Sequence, residues 1–282
     1  MHRYAIKALK TSAVFGGSGS TAYAYTHYKP VDIVWDLDHT LIHTIKVDAN
    51  NSNNLPPPDF IMGPSSSVAG RYCYVRPGAY YMVKFFSVFG GNQYVFTAAT
   101  KDYANGVIEG AGIKHMIVDT IAREDVPIQS KHIEEHFSAK LQADITKYSN
   151  ANTHKLNEWG KELVDTITKG ESSSINPELL HKIASDKVQK LSQCRAKLLT
   201  IELCGKDVKL LHPSDRFILV DDNIKSHKNH EDTGILIPPY NADKKPDDYA
   251  LLGVAWIIFK CFFTEDIKDV VGETVYSVNT KK

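Results

Sequence analysis

The chain has 282 residues, enough for one large domain or two small ones, and its 43% hydrophobic content suits a globular core. Lys plus Arg balance Asp plus Glu at 33 each, which gives no support for broad nucleic-acid binding through a basic surface but leaves room for a local basic pocket. Cys73, Cys194, Cys204 and Cys261 form no C-x-x-C pair and none has an Arg six residues on, so a zinc site, a disulfide scaffold and a cysteine phosphatase lack support and free thiols are expected.

Residues 1–30 contain Arg3, Lys7 and Lys10, several Ser and Thr, and no acid. That composition fits a mitochondrial transit segment, and equally an ordinary leader. The run 11–25 is short and rich in Gly and Ser for a membrane span, although Gly16, Gly17, Gly19 and Ala22 could pack a weak one against a partner. Residues 31–37, VDIVWDL, are nearly continuous in apolar residues, as a buried parallel strand is. Residues 50–69 have the composition of an exposed loop, with NNSNN, PPP and GPSSS. A short strand at 71–75 follows, then Pro77-Gly78 opens a helix over about 79–89. Tyr94–Thr97 reads as a strand and 102–109 as the next helix.

Residues 130–200 carry three apolar stripes at helical spacing, beginning at Ile133, Leu156 and Leu179. They predict a helical insertion, at about 120–195, inside an α/β chain. The α/β pattern resumes with strands at 217–220 and 234–237, and the apolar run 249–263 reads as a buried core helix. Strands alternating with helices predict a Rossmann-like parallel sheet, which binds ligands at the carboxyl ends of its strands. The expected organisation is a leader at 1–30 and one catalytic domain at 31–275 containing the insertion.

The chemistry gathers at those strand ends. Asp36 and Asp38 leave the first strand two residues apart, and paired carboxylates need a cation or a proton between them. Oxygen-only ligands favour magnesium. A calcium loop would want more acids and a Gly, whereas apolar Leu41-Ile42 follow. Attack by an aspartate on phosphorus would split hydrolysis into two easier steps, with the neighbouring carboxylate moving the protons. Thr97 can donate to a phosphoryl oxygen, Lys206 can neutralise its charge, and Asp221-Asp222 can complete a metal site. Taken singly, each also has a plainer explanation: a helix cap, a surface lysine, a turn. His39, His43, His227 and His230 lie near the motifs, and nothing in an oxygen-rich site calls for them.

Asp36-Leu37-Asp38-His39-Thr40-Leu41 resembles the D-x-D-x-T signature of haloacid-dehalogenase phosphatases, and more narrowly the FCP/SCP, or NLI-interacting-factor-like, branch. Arg76-Pro77-Gly78, Phe96-Thr97-Ala98-Ala99 with Tyr103-Ala104-Asn105, Gly205-Lys206-Asp207 and Ile218–Asp222 resemble further motifs of that branch, in the same order. The resemblance covers about residues 31–48, 71–115 and 200–270. It implies a haloacid-dehalogenase fold, Asp36 as nucleophile, Asp38 as acid/base, and Thr97 and Lys206 as phosphate ligands. Mg²⁺ would be held by Asp36, the Asp38 carbonyl and Asp222, with Asp221 beside them, and Tyr103 would shape the substrate pocket.

The chain departs from the small members of the branch at 48–70, where theirs form an apolar pocket that selects the substrate, and in its helical insertion. The first expectation is therefore a Mg²⁺-dependent phosphatase of phosphoserine and phosphothreonine proteins, without nucleic-acid partners. The second is a binding subunit similar to the mitochondrial import translocase relatives in the family, with membrane or translocase partners through the N-terminus. A small-metabolite phosphatase with the insertion as its lid is a third. The leader favours mitochondria over nucleus or cytoplasm.

Overall fold

A computed structural model describes residues 27–46, 56–63, 70–129, 193–241 apart from 195 and 199, and 248–271. Strand β1, Asp32–Trp35, is buried at all four positions. It lies at the middle of a five-stranded parallel sheet, flanked on one side by β5 (Gln93–Phe96) and β6 (Asp119–Ile121) and on the other by β7 (Phe217–Asp221) and β8 (Gly234–Leu236). A strand hidden on both faces tolerates few polar side chains, which is why this run is so apolar. The predicted parallel α/β sheet is therefore present. Trp35 is in register with Val95 on one neighbour and Val220 on the other. The next residues, Asp36, Phe96 and Asp221, thus emerge side by side at the carboxyl edge.

Asp32 anchors the opposite end of β1. Its buried carboxylate accepts from the Asn92 and Ser214 amides, both at 2.7 Å. Helix α1, Ala79–Phe89, starts after Gly78, whose φ of 84° lies in the left-handed region that glycine enters cheaply. It buries Met82, Val83 and Phe86 in the core. Helix α2, Lys101–Gly110, buries Tyr103, Ala104, Val107 and Ile108.

A second sheet was not foreseen. Strands β2 (Ile42–Lys46), β4 (Arg71–Val75) and β3 (Phe60–Met62) form an antiparallel sheet in the order β2-β4-β3. The expected loop at 50–69 therefore contains a strand at 60–62. Its one ring, Phe60, and its thioether, Met62, rest on α2 where that helix carries glycines. A Cβ on Gly110 would come within 2.3 Å of the Phe60 ring, and one on Gly106 within 2.8 Å of the Met62 methyl.

The last long helix, α3 (Ala250–Cys261), corrects another expectation. It buries Leu251, Val254, Ile257, Ile258 and Cys261, yet Tyr249, Leu252 and Trp256 are 67, 65 and 61% exposed. It is a surface helix with apolar residues on both faces. Between α1 and α3 runs an apolar groove lined by Tyr81, Met82, Phe85, Tyr249, Leu252 and Ala255.

The chain divides into two compact units, residues 1–126 with 204–282, and residues 127–203. The leader at 1–30 up to residue 26, and the predicted helical insertion from 130 to 192, lie outside the described residues. Among the described residues no helix is long and apolar enough to cross a membrane. The four cysteines are free.

Candidate active site

Asp36 follows β1 directly, and its backbone amide donates to the Val220 carbonyl at 2.9 Å, continuing the ladder one residue past the strand. Its carboxylate therefore leaves the sheet beside those of Asp221 and Asp222. One oxygen from each of these three acids lies within 4.8 Å of the others. Lys206 arrives from the far end of the chain and is only 2% exposed. Its ammonium stands 2.6 Å from Asp36 Oδ1 and 2.6 Å from Asp221 Oδ2, and also donates to the Phe96 carbonyl.

One ammonium thus serves two buried carboxylates, with a third acid adjacent. Burial pushes Asp36 well above the usual carboxylate range; Lys206 pulls it back, and Asp221 and Asp38 push with burial. Burial alone would lower Lys206, but Asp221 and Asp36 outweigh it and hold the ammonium above its ordinary value. Asp222 is likewise raised, first by burial and then by Asp221. Both partners of the Asp36–Lys206 pair move up, Asp36 chiefly through burial with Asp221 adding to it, and Lys206 because Asp221 and Asp36 share the one cation. The arrangement carries surplus negative charge on hard oxygen ligands, and that donor set fits a divalent cation such as Mg²⁺.

Thr97 follows β5 and is buried. Its amide donates to the Ile121 carbonyl, and its hydroxyl oxygen accepts from the Ala99 amide at 3.1 Å. The hydroxyl hydrogen is then available to an incoming oxygen.

Asp38 turns a different way from Asp36. The Tyr103 phenol donates to Asp38 Oδ1. That leaves the phenol oxygen to accept from Thr44 Oγ1 on β2, at 2.9 Å. The guanidinium carbon of Arg71 lies 5.6 Å from the centre of the Tyr103 ring. Burial raises Asp38, while the Tyr103 hydrogen bond and the charges of His39, Arg71 and Lys206 lower it. Asp38 is therefore set apart from the three acids that cluster, with its own partners.

The loop between β1 and β2 is pinned at several points. Thr40 is fully buried; its hydroxyl accepts from the Asp222 amide at 3.1 Å, joining the first acidic motif to the last. His39 adopts a left-handed φ of 62°, uncommon outside glycine. Tyr240 fixes it, donating its amide to the His39 carbonyl at 2.7 Å. Arg76, 1% exposed, donates to the Thr40 carbonyl at 3.1 Å and the Pro238 carbonyl at 2.9 Å, and pairs with Asp248 at 2.9 Å.

Two histidines sit behind the site. His230 Nε2 faces the Lys206 carbonyl at 2.8 Å, and His227 Nε2 faces the Asp221 carbonyl at 3.3 Å. A carbonyl only accepts, so in the His227 ring Nε2 carries the hydrogen, while His230 Nε2 also stands 3.4 Å from the Val208 amide. Both rings are held below the ordinary imidazole value, chiefly by burial. They are struts for the backbone that carries Lys206 and Asp221.

The structure thus brings Asp36, Thr97, Lys206, Asp221 and Asp222 to one sheet edge, with Asp38 and Tyr103 adjoining them. Sequence reasoning missed Arg76, Thr44, Arg71 and the two histidine struts. Arg76 had a signal, in the motif Arg76-Pro77-Gly78; the others had none, because their roles arise from contacts far apart in the chain.

Residues 32–143 match the family model of NLI interacting factor-like phosphatases. That span includes Asp36, Asp38, Thr97 and Tyr103, while Lys206, Asp221 and Asp222 lie beyond it. No curated protein matches the chain. Among solved structures, one of fission yeast RNA polymerase II CTD phosphatase Fcp1 bound to beryllium fluoride is similar at 16% identity and a TM-score of 0.39, covering 90% of this chain and 52% of that one. A second Fcp1 structure, described as an essential RNA polymerase II CTD phosphatase, is similar at 14% identity and a TM-score of 0.38, covering 90% of this chain and 54% of that one. The chain spans about half the length of either.

Proposed function

We propose that this chain, whose residues 32–143 carry a domain of the NLI interacting factor-like phosphatase family, is a Mg²⁺-dependent phosphatase of phosphoserine and phosphothreonine proteins. The observation that carries the reading is the buried Lys206 ammonium set 2.6 Å from both Asp36 and Asp221 and donating to the Phe96 carbonyl, one residue before Thr97. An isolated buried charge is costly, and a lysine held among carboxylates at a sheet edge is suited to receive a phosphoryl dianion.

In the first step an Asp36 oxygen forms a bond to phosphorus as the bond to the serine or threonine oxygen breaks. Asp38 delivers its proton to that leaving oxygen. In the second step Asp38, now a carboxylate, takes a proton from water as the water attacks phosphorus. The bond to Asp36 breaks, restoring its carboxylate and releasing phosphate. Lys206 and the Thr97 hydroxyl meet the negative charge of the phosphoryl oxygens in both steps.

Asp38 must be protonated in one step and ionised in the other. Its surroundings suit both, with burial favouring the acid and the Tyr103 hydrogen bond favouring the base. Asp36, Asp222 and the Asp38 carbonyl, with Asp221 beside them, would hold Mg²⁺, which when bound neutralises charge between nucleophile and phosphoryl group.

Turnover of p-nitrophenyl phosphate by the full chain tests the reading. Hydrolysis should require Mg²⁺ and disappear in Asp36→Asn; absence of Asp36-dependent hydrolysis in the wild type would overturn it and leave the binding-subunit reading. Mitochondrial placement and membrane or translocase contacts through residues 1–30 belong to the same proposal. Imaging of the tagged full chain checks them, and a purely nuclear or cytosolic signal would count against both.

A further inference from the structure

Asp38 has to meet the leaving oxygen, and in a phosphoprotein that oxygen belongs to the substrate's own side chain. Groups standing beside Asp38 therefore face the body of the substrate, whereas those beside Lys206 face the transferred phosphoryl group. Asp38 is held by Tyr103, and Arg71 lies against the Tyr103 ring with its guanidinium carbon 5.6 Å from the ring centre. Arg71 begins β4 in the antiparallel sheet, the element that also supplies Thr44 to the Tyr103 phenol.

Arg71 Nε is buried and has no hydrogen-bond partner. Among the described residues no carboxylate lies within ion-pair distance of this half-buried guanidinium, whereas Arg76, whose Nε also lacks a partner, is held through its other nitrogens by two carbonyls and Asp248. A buried guanidinium nitrogen with no acceptor is unfavourable unless something supplies one. Stacking on an aromatic face orients the plane of the guanidinium, and its forked donors match a carboxylate or phosphate.

We propose that Arg71 forms a second anion subsite beside the phosphate site, taking an acidic or phosphorylated side chain that neighbours the scissile phosphoamino acid. The inference rests on the phosphatase reading, in which Asp38 marks the side where the substrate body lies. It assigns the substrate class as phosphoproteins with negatively charged flanking sequence. Net neutrality of the chain is no obstacle, because the recognition is local.

The test reads binding rather than turnover, so its failure is separate from failure of the phosphatase reading. Fluorescent peptides carry a non-hydrolysable phosphonate in place of phosphoserine, flanked on either side by alanines, by a glutamate, or by a second phosphonate. Binding to the full chain with Mg²⁺ is followed by anisotropy. The acidic and doubly charged peptides are expected to bind about tenfold tighter than the alanine peptide, as a charge-assisted contact provides. Added salt should narrow that ratio. Arg71→Met keeps the stem over Tyr103 and should erase the preference, while Arg71→Lys should keep part of it. A glutamate effect without a further gain from the phosphonate would assign acidic residues; the reverse order would assign multiply phosphorylated segments. Equal binding of all three peptides to the wild type would overturn the proposal even if no variant folds. So would a preference that survives unchanged in Arg71→Met.

Discussion

Replacing Lys206 by Met would remove the one ammonium that Asp36 and Asp221 share while leaving an apolar chain of similar length in its channel. Packing is then nearly conserved, and the loss is electrostatic. Deleting one partner of a buried ion pair costs about 3–5 kcal/mol, because the charges left behind are neither solvated nor paired. For a domain of this size each kcal/mol corresponds to about 2–4 °C, so the midpoint in EDTA at neutral pH should fall by about 6–20 °C. The pH dependence gives the sharper test. In the wild type the raised value of Lys206 means its contribution is complete below the unfolded lysine value, about 10.4, and is lost only as pH climbs through the folded value. In Lys206→Met, Asp36 loses the attraction that opposed burial and moves up further. An acid raised on folding destabilises above its unfolded value, about 3.9, and that penalty fades as pH falls through the raised value. The gap between wild type and variant should therefore narrow from pH 8 to pH 5, followed by circular dichroism during heating. A fall of under about 2 °C at neutral pH, or a gap that does not change with pH, would refute the placement of Lys206 as the shared buried cation.

Tyr103→Phe removes the hydrogen bond that lowers Asp38, so Asp38 should rise further and stay protonated to higher pH. In kcat/KM for a phosphopeptide this should appear as an alkaline limb moved upward and a loss of about tenfold at neutral pH, and an unmoved limb would separate Tyr103 from Asp38. Mg²⁺ should raise the thermal midpoint of the wild type, by the equivalent of about 2.7 kcal/mol at one hundred times its dissociation constant. Asp222→Asn should cut most of that gain, and full retention in differential scanning fluorimetry would remove Asp222 from the metal site. Gly110→Ala, which near a helix end in open space would be neutral or mildly favourable, should instead cost about 1–3 kcal/mol in urea titration, since its Cβ would meet the Phe60 ring at 2.3 Å.

The central strand and its acids were legible because burial on both faces leaves a sequence little freedom. VDIVWDL reads as a strand without any partner in view, and Asp36 and Asp38 stand out at its end. Lys206 is the opposite case. In Cys-Gly-Lys-Asp it looks like a surface lysine, and only the family motif singled it out before the fold showed it buried among acids. Strand β3 was hidden in a Pro- and Ser-rich stretch, because three residues carry too little periodicity to register. What makes them a strand is pairing with β4 and the room that Gly106 and Gly110 leave on α2. For α3 the apolar run was plain, but composition does not say which face a neighbour covers, and Leu252 and Trp256 proved exposed.

The two sheets divide the labour of the site. Asp36, Thr97 and Asp221 take their positions from strands of the parallel sheet, whose register Trp35 fixes on both sides. Asp38 is placed differently, through Tyr103 on α2 and, through that phenol, Thr44 on β2. A small shift of the antiparallel sheet would reach Asp38 through Thr44 and Tyr103 while leaving Asp36 and Lys206 in register. Arg71 belongs to that same sheet. A substrate side chain that engages Arg71 would thus pull on the element that orients Asp38, so recognition of the flanking sequence and protonation of the leaving oxygen share one support. The proposed attack on phosphorus, in contrast, would depend on the parallel strands. On the proposed mechanism, changes in β2, β3 and β4 would alter substrate recognition together with the support of Asp38, while leaving the support of Asp36 and Lys206 intact, and that is the part of the chain where the motif DLDHT gives no guidance.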